Sequence, residues 1–253
     1  MNQQNKLGNI CNHVIAASGS NYQDIFKVIA LVTMLIDHTG AFILWNITTL
    51  RIVGRISGFL FFFFAGHNYK INSKIKKQYI LFACVIMFGS YLTPHFGIRS
   101  NALFSISAGC IFLHLLLSAK NQYIQSAIAI IALLLMPFTR NILEYSTMVF
   151  LIMLGGYCYK QKIYPNIALL ASLCLWLIYN IAYNSKVMMY NLPLLLILHI
   201  VIFVTIRYTD LKMPIRYNLR SITQYCAHIY LVQYIVFFLI YTFGINQLIV
   251  LNS

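Results

Sequence analysis

Apolar residues run through this chain in long, nearly unbroken stretches, at 25–45, 50–69, 78–93, 101–118, 123–139, 143–159, 164–183, 190–208 and 221–246. Short polar breaks separate them, such as Asn72-Ser73-Lys74, Thr93-Pro94-His95 and Asn184-Ser185-Lys186. A helix that crosses a bilayer needs roughly 20 apolar residues. The pattern therefore predicts an all-α, polytopic integral membrane bundle of about nine transmembrane helices. Residues 1–24 form a polar N-terminal segment, and 25–253 read as a single transmembrane helical domain. No break is long enough to fold alone, and no internal repeat is visible. The N-terminal segment has no apolar h-region, so the first helix is expected to stay in the mature protein.

Composition agrees with this reading. Of 253 residues, 60% are hydrophobic and 9% charged, against about 25% charged in a soluble domain. A net charge of +14 on a soluble protein would suggest nucleic acid. Here the basic residues sit in short loops, so no nucleic-acid partner is expected and membrane lipid is. With the N-terminus placed in the cytoplasm, twelve Lys and Arg fall in inner segments and three (Arg99, Arg140, Lys186) in outer ones. That asymmetry predicts a cytoplasmic N-terminus, and nine spans would put the C-terminus outside. The six cysteines are scattered without a CxxC pair and read as small apolar residues.

Charge inside a membrane helix costs at least a few kcal/mol and points to function by default. Asp37 and His38 lie deep in the first run, in LVTMLIDHTG. Neighbours on a helix point about 100° apart, so each needs a partner on another helix. The plain alternative is a buried ion pair that pins helices together. Arg51 and Arg55 enter the second run from the same end. Asp37–Arg55 is the expected charge pair, while Arg51 can snorkel to the surface. Either arginine suits a phosphate or carboxylate. Gly54 and Gly58 bracket Arg55 in a GxxxG, which also serves close helix packing. His228, between Tyr225 and Tyr230 in the last run, is either a packing residue or a second site member. The Phe61–Phe64 run reads as a lipid-facing and packing surface. No histidine pair has metal-ligand spacing with a carboxylate, so no metal is expected. G-x-S-x-G, Walker A and GxGxxG are absent.

Four segments taken in order, DIFKVIALVTMLIDHTG, RIVGRISGFLFFFFAGHNY, SNALFSIS and YCAHIYL, resemble the TraX family, whose founding member acetylates the conjugative pilin of F-like plasmids. Lys27, Ala30, Met34, Asp37 and His38 match its first block and Gly54-Arg55 its second. Asn101 before an apolar helix and Tyr225-x-x-His228 match later ones. Where the family carries an aromatic residue and a proline after the arginine, this chain has Gly58 and Phe59. The resemblance implies a bacterial inner-membrane enzyme that transfers acetyl from acetyl-CoA to the N-terminal amine of a pilin subunit. It assigns His38, Asp37 and His228 to catalysis, and Arg55, Arg51, Asn101 and Tyr225 to substrate and CoA binding. There is also a distant likeness to membrane acyltransferases of surface sugars. An O-acyltransferase acting on a glycan, a proton-coupled transporter with Asp37 and His38 as relay, and a non-catalytic pilus-assembly protein remain the alternatives. The transporter is disfavoured by the lack of repeated halves.

Overall fold

The computed structural model describes residues 20–44, 47–71, 77–91, 101–139, 143, 145–183, 191–215 and 217–240. Each of the nine apolar runs coincides with a helix there: α1 (Tyr22–Phe42), α2 (Thr48–His67), α3 (Lys77–Tyr91), α4 (Ala102–Ser118), α5 (Gln122–Leu134), α7 (Met148–Lys160), α8 (Pro165–Tyr183), α9 (Leu192–Tyr208) and α11 (Cys226–Leu239). Two single turns, α6 (Met136–Thr139) and α10 (Arg220–Thr223), flank them. Among the described residues there is no strand, only an isolated bridge between Asn21 and Pro214. Glu144, Arg140 and Lys186 lie outside the described residues, as do most of the polar N-terminal segment and the end of the last apolar run.

Three helices, α1, α2 and α8, are long and apolar enough to cross a membrane. The other six apolar helices are shorter. Two causes are visible. The fifth run breaks at Leu135, next to Pro137, where α5 gives way to α6. The last run breaks at Gln224 and Tyr225, between α10 and α11. The outer surface is apolar, with Leu81, Leu134, Ile167, Ile200 and Val232 exposed, while Ser105, Ser107, Asn180 and Gln233 are buried. Polar inside and apolar outside is the arrangement that lipid demands.

The first helix begins at Tyr22, earlier than the sequence suggested, and buries Gln23 and Asp24. Its start is held from afar. The first N–H groups of a helix have no partner within it. Here Tyr22 N donates to Met213 O (3.2 Å) and Gln23 N to Leu211 O (3.4 Å), so the loop after α9 closes the end of α1. Within the turn itself, Asn21 N donates to Asp24 Oδ2 at 3.2 Å. The start of α4 is fixed by Asn101, whose Oδ1 accepts from Leu103 N and Phe104 N.

The second helix is the hub, packed between α1 and α7 and also touching α4, α8 and α9. Phe59, Phe62 and Phe63 are fully buried on it, beside Trp176, Met148 and Met153. This corrects the lipid-facing reading of Phe61–Phe64, because Phe62, Phe63 and Phe64 are core and Phe61 only partly covered. The two glycines of the GxxxG serve different neighbours. A methyl on Gly54 would overlap Asp37 of α1, and one on Gly58 would overlap the Trp176 ring of α8. Further along α2, a methyl on Gly66 would collide with the Met153 carbonyl, and one on Gly156 of α7 with the Phe63 carbonyl. Backbone meets backbone at this crossing, so nothing flexible can yield. Gly66→Ala is expected to cost about 2–3 kcal/mol, measured by unfolding in detergent. A stability within error of the parent protein would show that the α2–α7 contact is looser than described.

Candidate functional site

Gly54 is the residue of α2 that lies directly against Asp37. Three residues earlier on the same face is Arg51; Arg55, the next residue after Gly54, is rotated about 100° away. The charge pair follows from that register. Arg51 Nη1 lies 3.0 Å from Asp37 Oδ2 and also donates to the Asp37 carbonyl oxygen at 3.1 Å. The expected Asp37–Arg55 pair is thus corrected to Asp37–Arg51, and Arg51 does not simply snorkel. Asp37 is buried, and its Oδ1 meets no hydrogen-bond partner among the described residues.

His38 points towards α11. Its ring lies 5.6 Å from Phe42, 5.9 Å from Tyr230 and 5.9 Å from Phe237. The Nδ1 atom is buried and, like Asp37 Oδ1, lacks a hydrogen-bond partner among the described residues. Unsatisfied buried polar atoms cost roughly 1–3 kcal/mol each. Two on adjacent residues call for a physical explanation. On α11 the neighbouring amide of Gln233 has an unpartnered Nε2 as well.

Asp37 and His38 line a cavity of about 650 Å³. Ser57, Tyr145 and Tyr230 share its inner part with them, and Asp24, Lys27, Asn68, Arg220 and Gln224 line its other end. Tyr145 is held by the buried Ser146, whose backbone sits at φ 58° and whose hydroxyl donates to Met136 O. At the far end Asp24 accepts from Lys27 Nζ (2.9 Å) and Thr223 Oγ1 (2.9 Å), tying α10 to α1. Lys27 and His38 are eleven residues apart on α1, about 16 Å along the axis at ~1.5 Å per residue.

The remaining sequence candidates lie elsewhere. His228 is exposed, packed against Phe82 (4.9 Å) and Tyr225 (5.6 Å) on the outer side of α3 and α11, and it does not line the cavity. Tyr225 is 52% exposed. The physical reason is phase: Ala227 and Tyr230 occupy the inward face of α11, and His228 lies 100° and more from both. Asn101 caps α4, and its Nδ2 donates to Ala83 O at 2.8 Å, which makes it a clamp between α3 and α4. Residues that sequence reasoning passed over are Tyr230, Ser57, Asp24 and Arg220. The repeat of Tyr230, Gln233 and Phe237 at helical spacing signals the inward face of the last helix, and Asp24 is one of only four acidic residues. Among the described residues no group of three or more His, Cys, Asp or Glu comes together.

An all-helical chain with an apolar exterior, three helices fit to cross a membrane and a charged cavity within defines a membrane-type protein with a buried polar site. The chain belongs to the TraX family: the family model described as TraX protein matches residues 22–236. It is also 26% identical over 253 residues to an uncharacterised protein of Rickettsia prowazekii (strain Madrid E), covering 92% of this chain and 99% of that one. No solved structure matches.

Proposed function

We propose that this protein is a nine-span acetyltransferase of the bacterial inner membrane, with its N-terminus in the cytoplasm, that moves acetyl from acetyl-CoA to the N-terminal amine of a pilin subunit. The observation that carries the reading is the cavity, which joins a polar, basic end to the unsatisfied Asp37 and His38. The excess of Lys and Arg in the segments on that basic side supports a cytoplasmic placement for it, where CoA resides.

The chemistry suits an amine. An α-ammonium has an ordinary pKa of about 7.7–8.0, and only its free amine attacks a thioester. Asp37 Oδ1 is placed to accept from the ammonium, while Arg51 holds Oδ2. The ammonium gives up one proton to solvent as the amine is seated, and His38 takes the second from the nitrogen as it bonds to the acetyl carbon and passes it to the departing sulfur. The carbon–sulfur bond breaks, and the CoA thiolate leaves and is protonated. The aromatic wall of Phe42, Tyr230 and Phe237 keeps water from competing. A buried carboxylate oxygen without a donor favours a cationic acceptor over a glycan hydroxyl.

Purified protein, labelled acetyl-CoA and three acceptors provide the test: a peptide with the pilin N-terminus free, the same peptide with that amine blocked, and a surface glycan. One acetyl on the free peptide and none on the blocked one is the expected result. Label entering a glycan hydroxyl, with neither peptide acetylated, would move the protein to the O-acyltransferases.

A further inference from the structure

The end of the cavity remote from His38 is rich in positive charge. Lys27 and Arg220 line it. Lys160, at the end of α7, reaches the carbonyl oxygen of Tyr69 at 3.5 Å, and Tyr69 is itself part of the lining. The charges of Lys160, Lys212 and Lys27 all act on the ring of His67, and those of Lys70 and Lys212 act on Lys160. Lys212 is brought there by the loop that closes the start of α1. The acidic groups facing this cluster are Asp24, engaged by Lys27 and Thr223, and Asp210, whose Oδ1 accepts from Lys212 N. Among the described residues five basic side chains thus meet two acidic ones, and none of the five is needed for the chemistry at His38. Like charges held together at a cavity mouth repel one another and focus an attractive field on an anion.

We propose that Lys27, Lys70, Lys160 and Lys212 form a crown that binds phosphate esters at the cavity mouth, with the nucleotide end of CoA as the ligand. The inference rests on the acetyltransferase reading and assigns the phosphates to residues other than Arg51, which is engaged with Asp37. Length selects the ligand. The pantetheine arm between diphosphate and sulfur has about as many chain atoms as four residues, so it spans about 14 Å when extended. That matches the ~16 Å between Lys27 and His38 on α1. A diphosphate at the crown therefore delivers its thioester to the histidine, and a ligand with no such arm gains nothing from the depth of the cavity. Lysines bind phosphate as point charges, and a cluster at the helix ends also suits the headgroup of an anionic lipid. The chemistry is shared, and the experiment separates the two sources.

Full-length protein in nanodiscs of phosphatidylcholine, with or without phosphatidylglycerol, is titrated with labelled CoA, 3′-dephospho-CoA and pantetheine. In the neutral discs, Lys160→Gln combined with Lys212→Gln is expected to weaken CoA binding tenfold or more and leave pantetheine within twofold. The weakening for 3′-dephospho-CoA should be smaller than for CoA. Lys160→Arg with Lys212→Arg should restore CoA binding, which a merely misfolded variant would not do. CoA affinity unchanged in the Gln pair overturns the proposal. So does a Gln pair that loses only its response to phosphatidylglycerol, because the crown is then a lipid site. Wild-type protein that binds CoA through the crown yet transfers no acetyl sinks the acetyltransferase reading and leaves the crown standing. Acetyl transfer with an unchanged KM for acetyl-CoA in the Gln pair does the reverse.

Discussion

His38→Gln is expected to lower acetyl transfer by about 10²–10⁴-fold, the usual contribution of a positioned general base, with little loss of protein from the membrane. Among the described residues His38 is the histidine that lines the cavity, and its buried Nδ1 has no hydrogen-bond partner there. Its neighbours are three aromatic rings, which tolerate an uncharged amide of similar size. The effect should therefore appear in turnover and hardly in stability. His228→Gln is the control, since that ring sits against Phe82 on the outer face of α11 and should keep near-native transfer. Acceptor acetylation measured by mass, at matched membrane levels, decides between them. Near-native turnover in His38→Gln with loss in His228→Gln would move the base to the last helix. Retention in both would end the histidine mechanism.

Arg51→Ala should destabilise the protein by about 2–4 kcal/mol, between the values for exposed and buried ion pairs. The arginine side chain is 28% exposed and that of Asp37 10%, so the pair is screened at one partner and desolvated at the other. Removing the guanidinium leaves a carboxylate deep in α1 without its 3.0 Å contact. Adding Asp37→Asn should recover most of the stability, because the uncompensated charge disappears, while activity stays low. Unfolding in detergent reads the first effect and peptide acetylation the second. If the double variant is as unstable as Arg51→Ala alone, the arginine supports the fold through its backbone contact with the Asp37 carbonyl. If Arg51→Ala is as stable as the parent, the ion pair is not formed in solution.

Periodicity and composition carried most of the architecture. Among the described residues each of the nine apolar runs holds a helix, because each is long enough to close its own backbone hydrogen bonds. The block containing Lys27, Asp37 and His38 was legible for a different reason: charge is rare in such a chain, so each instance stands out. Pairings across helices were not legible. Arg51 and Arg55 are one turn apart and chemically identical, and only the placement of Gly54 against Asp37 selects between them. The phase of α11 was hidden too. The polar residues His228 and Tyr225 drew attention to the outer side, whereas Tyr230 turns inward. The four phenylalanines misled in the opposite sense, since an apolar run cannot tell core from lipid when both are apolar.

The stitching of α1 to the loop and turn before α11 has a bearing on how the protein is made. Asp37, His38 and Arg51 are all translated by residue 51 of 253. The groups that finish the cavity mouth arrive last: Arg220 N donates to Ser20 Oγ and Thr223 Oγ1 to Asp24 Oδ1 across separations of 200 and 199 residues. Contacts this distant in sequence form slowly. A ribosome-bound chain therefore carries its reactive residues through most of synthesis with the mouth unbuilt. A transcript cut before residue 211 would yield a membrane protein with Asp37, His38 and Arg51 present and no closed start to its first helix. On the acetyltransferase reading proposed above, activity would then emerge only at the end of translation, and the nascent chain would not act on passing amines while its helices are being inserted.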